Sequence, residues 1–351
     1  MEAAIFGASC RLSRAGTVAV RSPPERSHRQ FSAPMTVAVA RSESGGGGNR
    51  LFVFGTGFVG RYVSDRFISQ GWHVSGTCTS APMKTELEKI GMEAFVFDAV
   101  SDQLRSLHTL QRATHLLVSI PPIVGIGDPV VVTSQAYMSI ILNAVVVSSW
   151  GIASYNRRWE FAVARVLVVN NYPPDPETES AKSRLAAEKG WLDLGHELGV
   201  TVNVFRLGGI YGPGRSALDT IIKGQSLSEA QKKRESRLFT ARVHVADVYQ
   251  AIKASMEILS SGRIYNVVDD DPAPRQEVFA FAQSLLEERW AGTVCKLDNN
   301  DMKPHKSLAG CEKRVSNARL KKELGASLLY PTYRLGLRNI LESWDSVPKE
   351  P

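Results

Sequence analysis

Three glycines spaced as Gly55-Thr56-Gly57-Phe58-Val59-Gly60 can hold a pyrophosphate, provided the chain around them turns from a strand into a helix. In that setting each glycine has its own task. Gly55 permits the tight turn, Gly57 lets phosphate oxygens approach the backbone, and Gly60 lets helix and strand pack closely. The first helical turn, through Phe58 and Val59, then offers unpaired N–H groups and a partial positive charge to the phosphates. The flanking residues supply this setting. Leu51-Phe52-Val53-Phe54 is a short apolar run suited to a strand buried on both faces. Phe58 to Gln70 carries Val59, Val63 and Phe67 at helical spacing, and Gly71 is placed to end it. The run reads as a nicotinamide-dinucleotide fingerprint with Thr56 inside the turn; a tight turn without a ligand is the alternative.

The end of the next strand chooses between cofactors. A chain built for NAD usually places an acid about 20 residues beyond the glycines, where it holds the ribose 2′-hydroxyl. Here that stretch is Thr77-Cys78-Thr79-Ser80, and no acid follows until Glu86. Thr77, Thr79 and the later Lys84 accept a 2′-phosphate without repelling it, so NADP is the expected cofactor and NAD the alternative. Asp98, just past the third strand, is positioned to meet the adenine end or to cap a helix beginning near Ser101. Ser119 and Pro121, closing the fourth strand, complete the expected cofactor-binding set.

The elements that position these groups alternate. Strands are expected at Trp72–Thr77, Phe95–Phe97, His115–Ile120, Ala144–Val147 and Thr201–Leu207, with helices from Pro82 and over Ala181–Leu198, which Gly199 ends. Strands separated by helices of this length predict an α/β Rossmann fold with a doubly wound parallel sheet. Helices are also expected over His244–Leu259, Pro274–Arg289 and Asn317–Leu324. Residues 49–207 are thus read as the dinucleotide-binding domain. Residues 208–351 are read as a small C-terminal α/β cap interleaved with the sheet.

The net charge of +7 is concentrated at the start of the chain. Residues 1–50 hold seven arginines, no lysine and three glutamates, hence +4, which leaves +3 for the remainder. So balanced a body has little electrostatic reason to bind nucleic acid. The opening is Arg-, Ser- and Ala-rich, with arginine interrupting every hydrophobic run, and Gly45–Gly48 follows as a linker. Residues 1–48 read as a plastid transit peptide and linker, implying the chloroplast stroma; a disordered tail fits the same composition. The four cysteines, at positions 10, 78, 295 and 311, form no Cys-x-x-Cys pair, so no metal site is expected. Nothing approaches the roughly 18 uninterrupted apolar residues of a membrane span.

Three further stretches, together with the glycine turn, carry a family resemblance. They are Arg206-Leu207-Gly208-Gly209-Ile210-Tyr211-Gly212-Pro213-Gly214, Arg242-Val243-His244-Val245-Ala246-Asp247-Val248, and Arg263-Ile264-Tyr265-Asn266-Val267-Val268 followed by Pro274. In this order they resemble the extended short-chain dehydrogenase/reductases, the NAD-dependent epimerase/dehydratase group. More narrowly the chain resembles the atypical branch that includes bacterial YeeZ-like proteins and their plastid relatives. The match covers about residues 50–125 and 175–335.

The resemblance implies a Tyr-x-x-x-Lys pair on the long helix, in which the lysine cation lowers the tyrosine pKa for proton transfer. Counting back from Glu188, the lysine position holds Arg184 and the tyrosine position Ser180. A serine hydroxyl has no pKa near neutrality, and arginine is not deprotonated in a protein. Tyr211 is the aromatic acid–base group that family position offers instead, with packing under Gly212-Pro213 as its other role. Ser148, with Ser149, is the trace of the family's active-site serine. Between residues 128 and 171 the resemblance falls away sharply on both sides, which reads as a genuine variant or as a misread exon or shifted frame. Arg242 and His244 are the substrate-binding expectation, since an arginine in this segment holds substrate phosphates in the family; His244 also fits a helix-start or core role, and Asp247 a structural one. Two functions follow. One is an NADP-linked oxidoreductase or epimerase acting, with non-standard groups, on a small metabolite, phosphorylated or otherwise anionic where the Arg242 expectation holds. The other is a catalytically inactive dinucleotide-binding redox sensor or scaffold. A homodimer is the partner arrangement that the family implies.

Overall fold

The computed structural model describes residues 48–98, 104–134, 143–148, 166–168, 176, 178–224, 239–258, 262–290 and 313–345. Strand β1 (Arg50–Phe54) leads through the glycine turn into helix α1 (Phe58–Ile68). Then come β2 (His73–Cys78), α2 (Ala81–Lys89), β3 (Glu93–Val96) and β4 (His115–Val118). Helix α3 (Pro129–Ser134) precedes β5 (Asn143–Ser148) and the short β6 (Val166–Val168). The long α4 (Glu179–Leu198) runs into β7 (Thr201–Leu207) and β8 (Gly209–Tyr211).

Beyond these lie α5 (Ala217–Ile222), β9 (Arg242–His244), α6 (Val245–Glu257) and β10 (Arg263–Val267). The chain continues through α7 (Arg275–Arg289), β11 (Lys313–Val315), α8 (Ala318–Leu324) and α9 (Tyr333–Glu342). Among the described residues, seven strands form one sheet in the order β10-β7-β5-β4-β1-β2-β3, and every pairing in it is parallel. The order reverses at β1, which lies between β2 and β4.

Alternation along β1 shows why the sheet is wound on both sides. Leu51 and Val53 face a core shared with Val59, Val63 and Phe67 of α1 and with Val248 and Ile252 of α6. Phe52 and Phe54 face the other core, against Trp191 and Leu194 of α4. A strand flanked by two apolar layers reads as a continuous hydrophobic run, as this one does. A third core lies in the cap, where α5, α7 and α9 bury Leu218, Leu286 and Leu337 around Tyr211 and Tyr333.

The doubly wound α/β architecture is thus as the sequence implies, with strand and helix ends displaced by one or two residues. The short pairs β8–β9 and β6–β11, and helices α3, α5 and α9, add to it. Because β10 joins the main sheet next to β7, the part of the chain beyond residue 208 is woven into both layers. The opening segment lies outside the described residues, as do Ser101, Ser149 and most of 149–175.

Candidate functional site

The glycine turn is held from behind by the second strand. Gly55 N–H donates to Thr77 Oγ1 at 3.0 Å, and Thr56 N–H donates to the Thr77 carbonyl at 3.1 Å. Thr56 Oγ1 donates to that same carbonyl at 2.9 Å. Thr77, expected as a cofactor contact, is therefore the buried brace of the turn. Gly55 has φ +87°, in the left-handed region, and a Cβ there would lie 2.6 Å from Ile120 Cγ2. At Gly60 a Cβ would collide with the Gly55 carbonyl oxygen, so helix and turn approach as only glycine permits. Gly57 differs: among the described residues nothing lies within 4 Å of where its Cβ would stand. It caps α1 without a side-chain hydrogen bond, and the first turn of α1 carries no acid. The N–H groups of Phe58, Val59 and Gly60 are thus the unpaired donors that every helix start leaves. This is the arrangement a pyrophosphate fits.

Around the turn the carboxyl ends of several strands converge. Ser119 N–H donates to the Phe54 carbonyl at 2.8 Å, so the end of β4 lies against the end of β1, with exposed Pro121 just beyond. Ser148 closes β5, in register with Arg206 of β7. On the other side, Thr79 is exposed, Ser80 Oγ accepts from Met83 N–H at 3.4 Å as the cap of α2, and Asp98 is exposed past β3. Lys84 is paired with Glu88 at 3.6 Å. Sequence reasoning missed Arg215. It follows the turn Gly212–Gly214, and its guanidinium carbon lies 5.3 Å from the Phe58 ring centroid, a cation beside the start of α1.

Ser180 and Arg184 lie in the first turns of α4, which Thr178 caps by accepting from Ala181 N–H at 3.2 Å. Burial lowers the Arg184 pKa. Glu188, one further helical step along, is occupied structurally. Its Oε2 accepts from Arg206 Nε at 3.0 Å and Nη2 at 2.7 Å, and each side chain is 4% exposed. This pair fixes α4 against β7. On the same helix, Trp191 Nε1 donates to Asp128 Oδ2 at 2.8 Å, while Asp128 Oδ1 accepts from Val130 N–H at 2.9 Å to start α3.

The remaining expected residues are brought together, but inside the cap. In the parallel β8–β9 pair, Tyr211 stands opposite His244 and Gly209 opposite Arg242. Tyr211 is buried, its hydroxyl packs against Gly336 of α9, and no hydrogen-bond partner meets it among the described residues. Burial, followed by the charges of Asp269 and Asp247, pushes its pKa far above the ordinary phenol range. Tyr211 thus sits in the cap core, the packing role that its position also allowed.

His244 caps α6, its Nδ1 accepting from Ala246 N–H at 3.2 Å, and burial lowers its pKa to about 4. It touches Tyr211 and Tyr330 with ring centroids 5.2 and 4.2 Å apart, so it packs in the cap and starts α6, the other role its position allowed. Arg242 is buried, donates from Nη2 to the Ala273 carbonyl at 2.8 Å, and lies 5.2 Å from the Tyr333 ring centroid. Beside it the buried carboxyl of Asp269 has a pKa raised to about 8 by burial, an effect that the Arg242 charge opposes. Asp247 accepts from Leu329 N–H at 2.5 Å and Tyr330 N–H at 3.2 Å, which gives it the structural role expected of it. No group of His, Cys, Asp and Glu able to hold a metal occurs among the described residues, and no described helix is long and apolar enough to cross a membrane.

No family model matches the chain. It is 25% identical over 288 residues to Protein YeeZ of Escherichia coli K12, an alignment covering 80% of this chain and 96% of YeeZ. A conserved protein of unknown function from Silicibacter pomeroyi is similar in structure, with a TM-score of 0.64 and 27% identity over 85% of this chain and all of that one. UDP-glucuronic acid 4-epimerase from Bacillus cereus, solved in complex with NAD, has a TM-score of 0.61 at 15% identity, over 84% of this chain and 98% of the epimerase. The chain is therefore a homologue of YeeZ, and it shares its Rossmann fold with the epimerase.

Proposed function

We propose that this protein binds a nicotinamide dinucleotide, with NADP preferred, and works as a dinucleotide-responsive sensor or scaffold. The observation that carries the reading is the braced turn: Thr77 holds Gly55 and Thr56 in place while the space at Gly57 and the first amides of α1 stay clear for phosphate. Arg215 adds a cation beside them. Bound there, the nicotinamide would supply a hydride donor or acceptor. The absence of an acid at Thr77–Ser80 and the nearness of Lys84 support NADP over NAD.

The sensor reading is preferred to turnover because the groups that family position offers for proton transfer are unsuited to it. Ser180 and Arg184 do not form an acid–base pair, and Tyr211 is buried in the cap. An NADP-linked oxidoreductase or epimerase is the second reading, favoured by Ser148 at the carboxyl end of β5, beside the same crevice. Titration with NADPH, NADP and NAD, followed by nicotinamide fluorescence and thermal shift, tests the first reading. Tight NADP-selective binding supports it, and no binding by any of the three defeats it. Isotope exchange into bound NADPH in the presence of metabolite pools separates the second. The composition of residues 1–48 further supports import into the plastid stroma, which uptake by isolated chloroplasts with loss of this segment would test.

A further inference from the structure

Strand β4 does not end in an ordinary loop. After Pro121-Pro122 the chain closes a small hairpin, in which Ile123 N–H donates to the Gly127 carbonyl at 2.8 Å and Gly127 N–H returns to the Ile123 carbonyl at 2.8 Å. Gly125 and Gly127 hold the tip at φ +86° and +87°. Both ends are fixed. Upstream, Ile120 packs against the glycine turn, and Ser119 N–H bonds the Phe54 carbonyl. Downstream, Asp128 is buried, hydrogen-bonded to Trp191 and to the first amides of α3. Yet the tip that this anchoring supports is apolar and uncovered, with Val124 54% and Ile126 56% exposed.

The location says what would cover it. In an open parallel sheet, ligands enter at the carboxyl ends of strands where the strand order reverses, and here that point lies between β1 and β4. The hairpin is the direct continuation of β4 and so forms one rim of that crevice. The half built on β1, β2 and β3 takes the adenosine side of a dinucleotide, because the ribose-recognising position lies at the end of β2. The rim at β4 then meets the other half. Phosphates and riboses have no use for two aliphatic side chains, whereas a flat aromatic ring that must be kept from water does.

We propose that Val124 and Ile126 form an apolar lip that packs on the nicotinamide end of the bound dinucleotide, making them positioning residues for that ring. This rests on the dinucleotide reading above. The test compares Val124→Ser/Ile126→Ser with the unaltered protein, using NADPH and 2′-phospho-ADP-ribose, which lacks the nicotinamide. In the variant, NADPH affinity is expected to fall about tenfold, with loss of the emission gain that an apolar environment gives the reduced ring. Affinity for 2′-phospho-ADP-ribose is expected to stay the same, as is the melting temperature of the free protein. Equal weakening of both ligands, or no change in either, overturns the lip. Failure of the unaltered protein to bind either ligand instead overturns the dinucleotide reading itself.

Discussion

At the glycine turn, the amides of Gly55 and Thr56 are both satisfied by Thr77, and the donors left over are those that the first turn of α1, like any helix start, leaves without intrahelical partners. In the cap the situation is inverted. Tyr211 Oη, Arg242 Nη1 and His244 Nε2 are buried and meet no hydrogen-bond partner among the described residues. Both places hold unpaired polar groups, but only the first offers them to something that arrives from solution. The second keeps them inside, where each unpaired buried group costs about 1–3 kcal/mol. On the proposed reading, the contrast separates residues that would serve a ligand from residues that set stability and its dependence on pH.

The largest expected effect lies in the cap. Burial pushes the Asp269 carboxyl up to about 8 in the folded protein, from an ordinary value of 3.8. The folded state therefore keeps a proton that the unfolded chain has lost. That contribution is complete below the ordinary value and is lost as pH rises through about 8. Stability should decline with pH across this window by at most about 1.4 kcal/mol per pH unit, and Asp269→Asn should flatten the profile. Denaturant unfolding at a series of pH values checks this, and an unchanged slope in the variant would show that Asp269 is not its source.

Next in size, Glu188→Ala removes the carboxylate that Arg206 meets at 2.7 Å in the buried interior and should destabilise by about 3–5 kcal/mol, read from the shift in denaturation midpoint. Thr77→Val preserves shape but removes the acceptor for the Gly55 amide. It should cost about 1 kcal/mol of stability and several-fold in dinucleotide affinity, where Asp269→Asn should leave affinity untouched. A Thr77→Val protein that binds as tightly as the parent would break the distinction between the two regions. The smallest effect is expected of Tyr211→Phe. Because its hydroxyl has no partner among the described residues, stability should change by no more than about 0.5 kcal/mol, and any turnover found should survive.

The parts of the molecule that were legible in the sequence are those with local causes. The strand, turn and helix around Gly55 follow from periodicity and glycine spacing within 20 residues, and the βα alternation extends the same logic to the sheet. Strands β8, β9 and β11 are three residues each, too short to display a period. Helix α9 did leave a signal, since Thr332 caps it and Tyr333, Leu337, Ile340 and Leu341 recur on one face. The site was harder. Glu188 serves by resemblance as a register marker, but its partner Arg206 lies 18 residues away on another element. The substrate role expected of Arg242 and His244 rests on resemblance alone, and nothing local in R-x-H-V shows that both side chains turn inward. Arg215 meets Phe58 only because the cap folds back onto α1.

The brace between Thr77 and the glycine turn also governs how a ligand would arrive. Since the backbone from Gly55 to Gly60 is already held in the free protein, there is little chain to order upon encounter. Docking would then chiefly trade the hydration shell of the helix start for phosphate oxygens. The expected signature is rapid association with a single kinetic phase. Hydrogen exchange at the Gly55 amide would be slow before the ligand is added and scarcely slower afterwards.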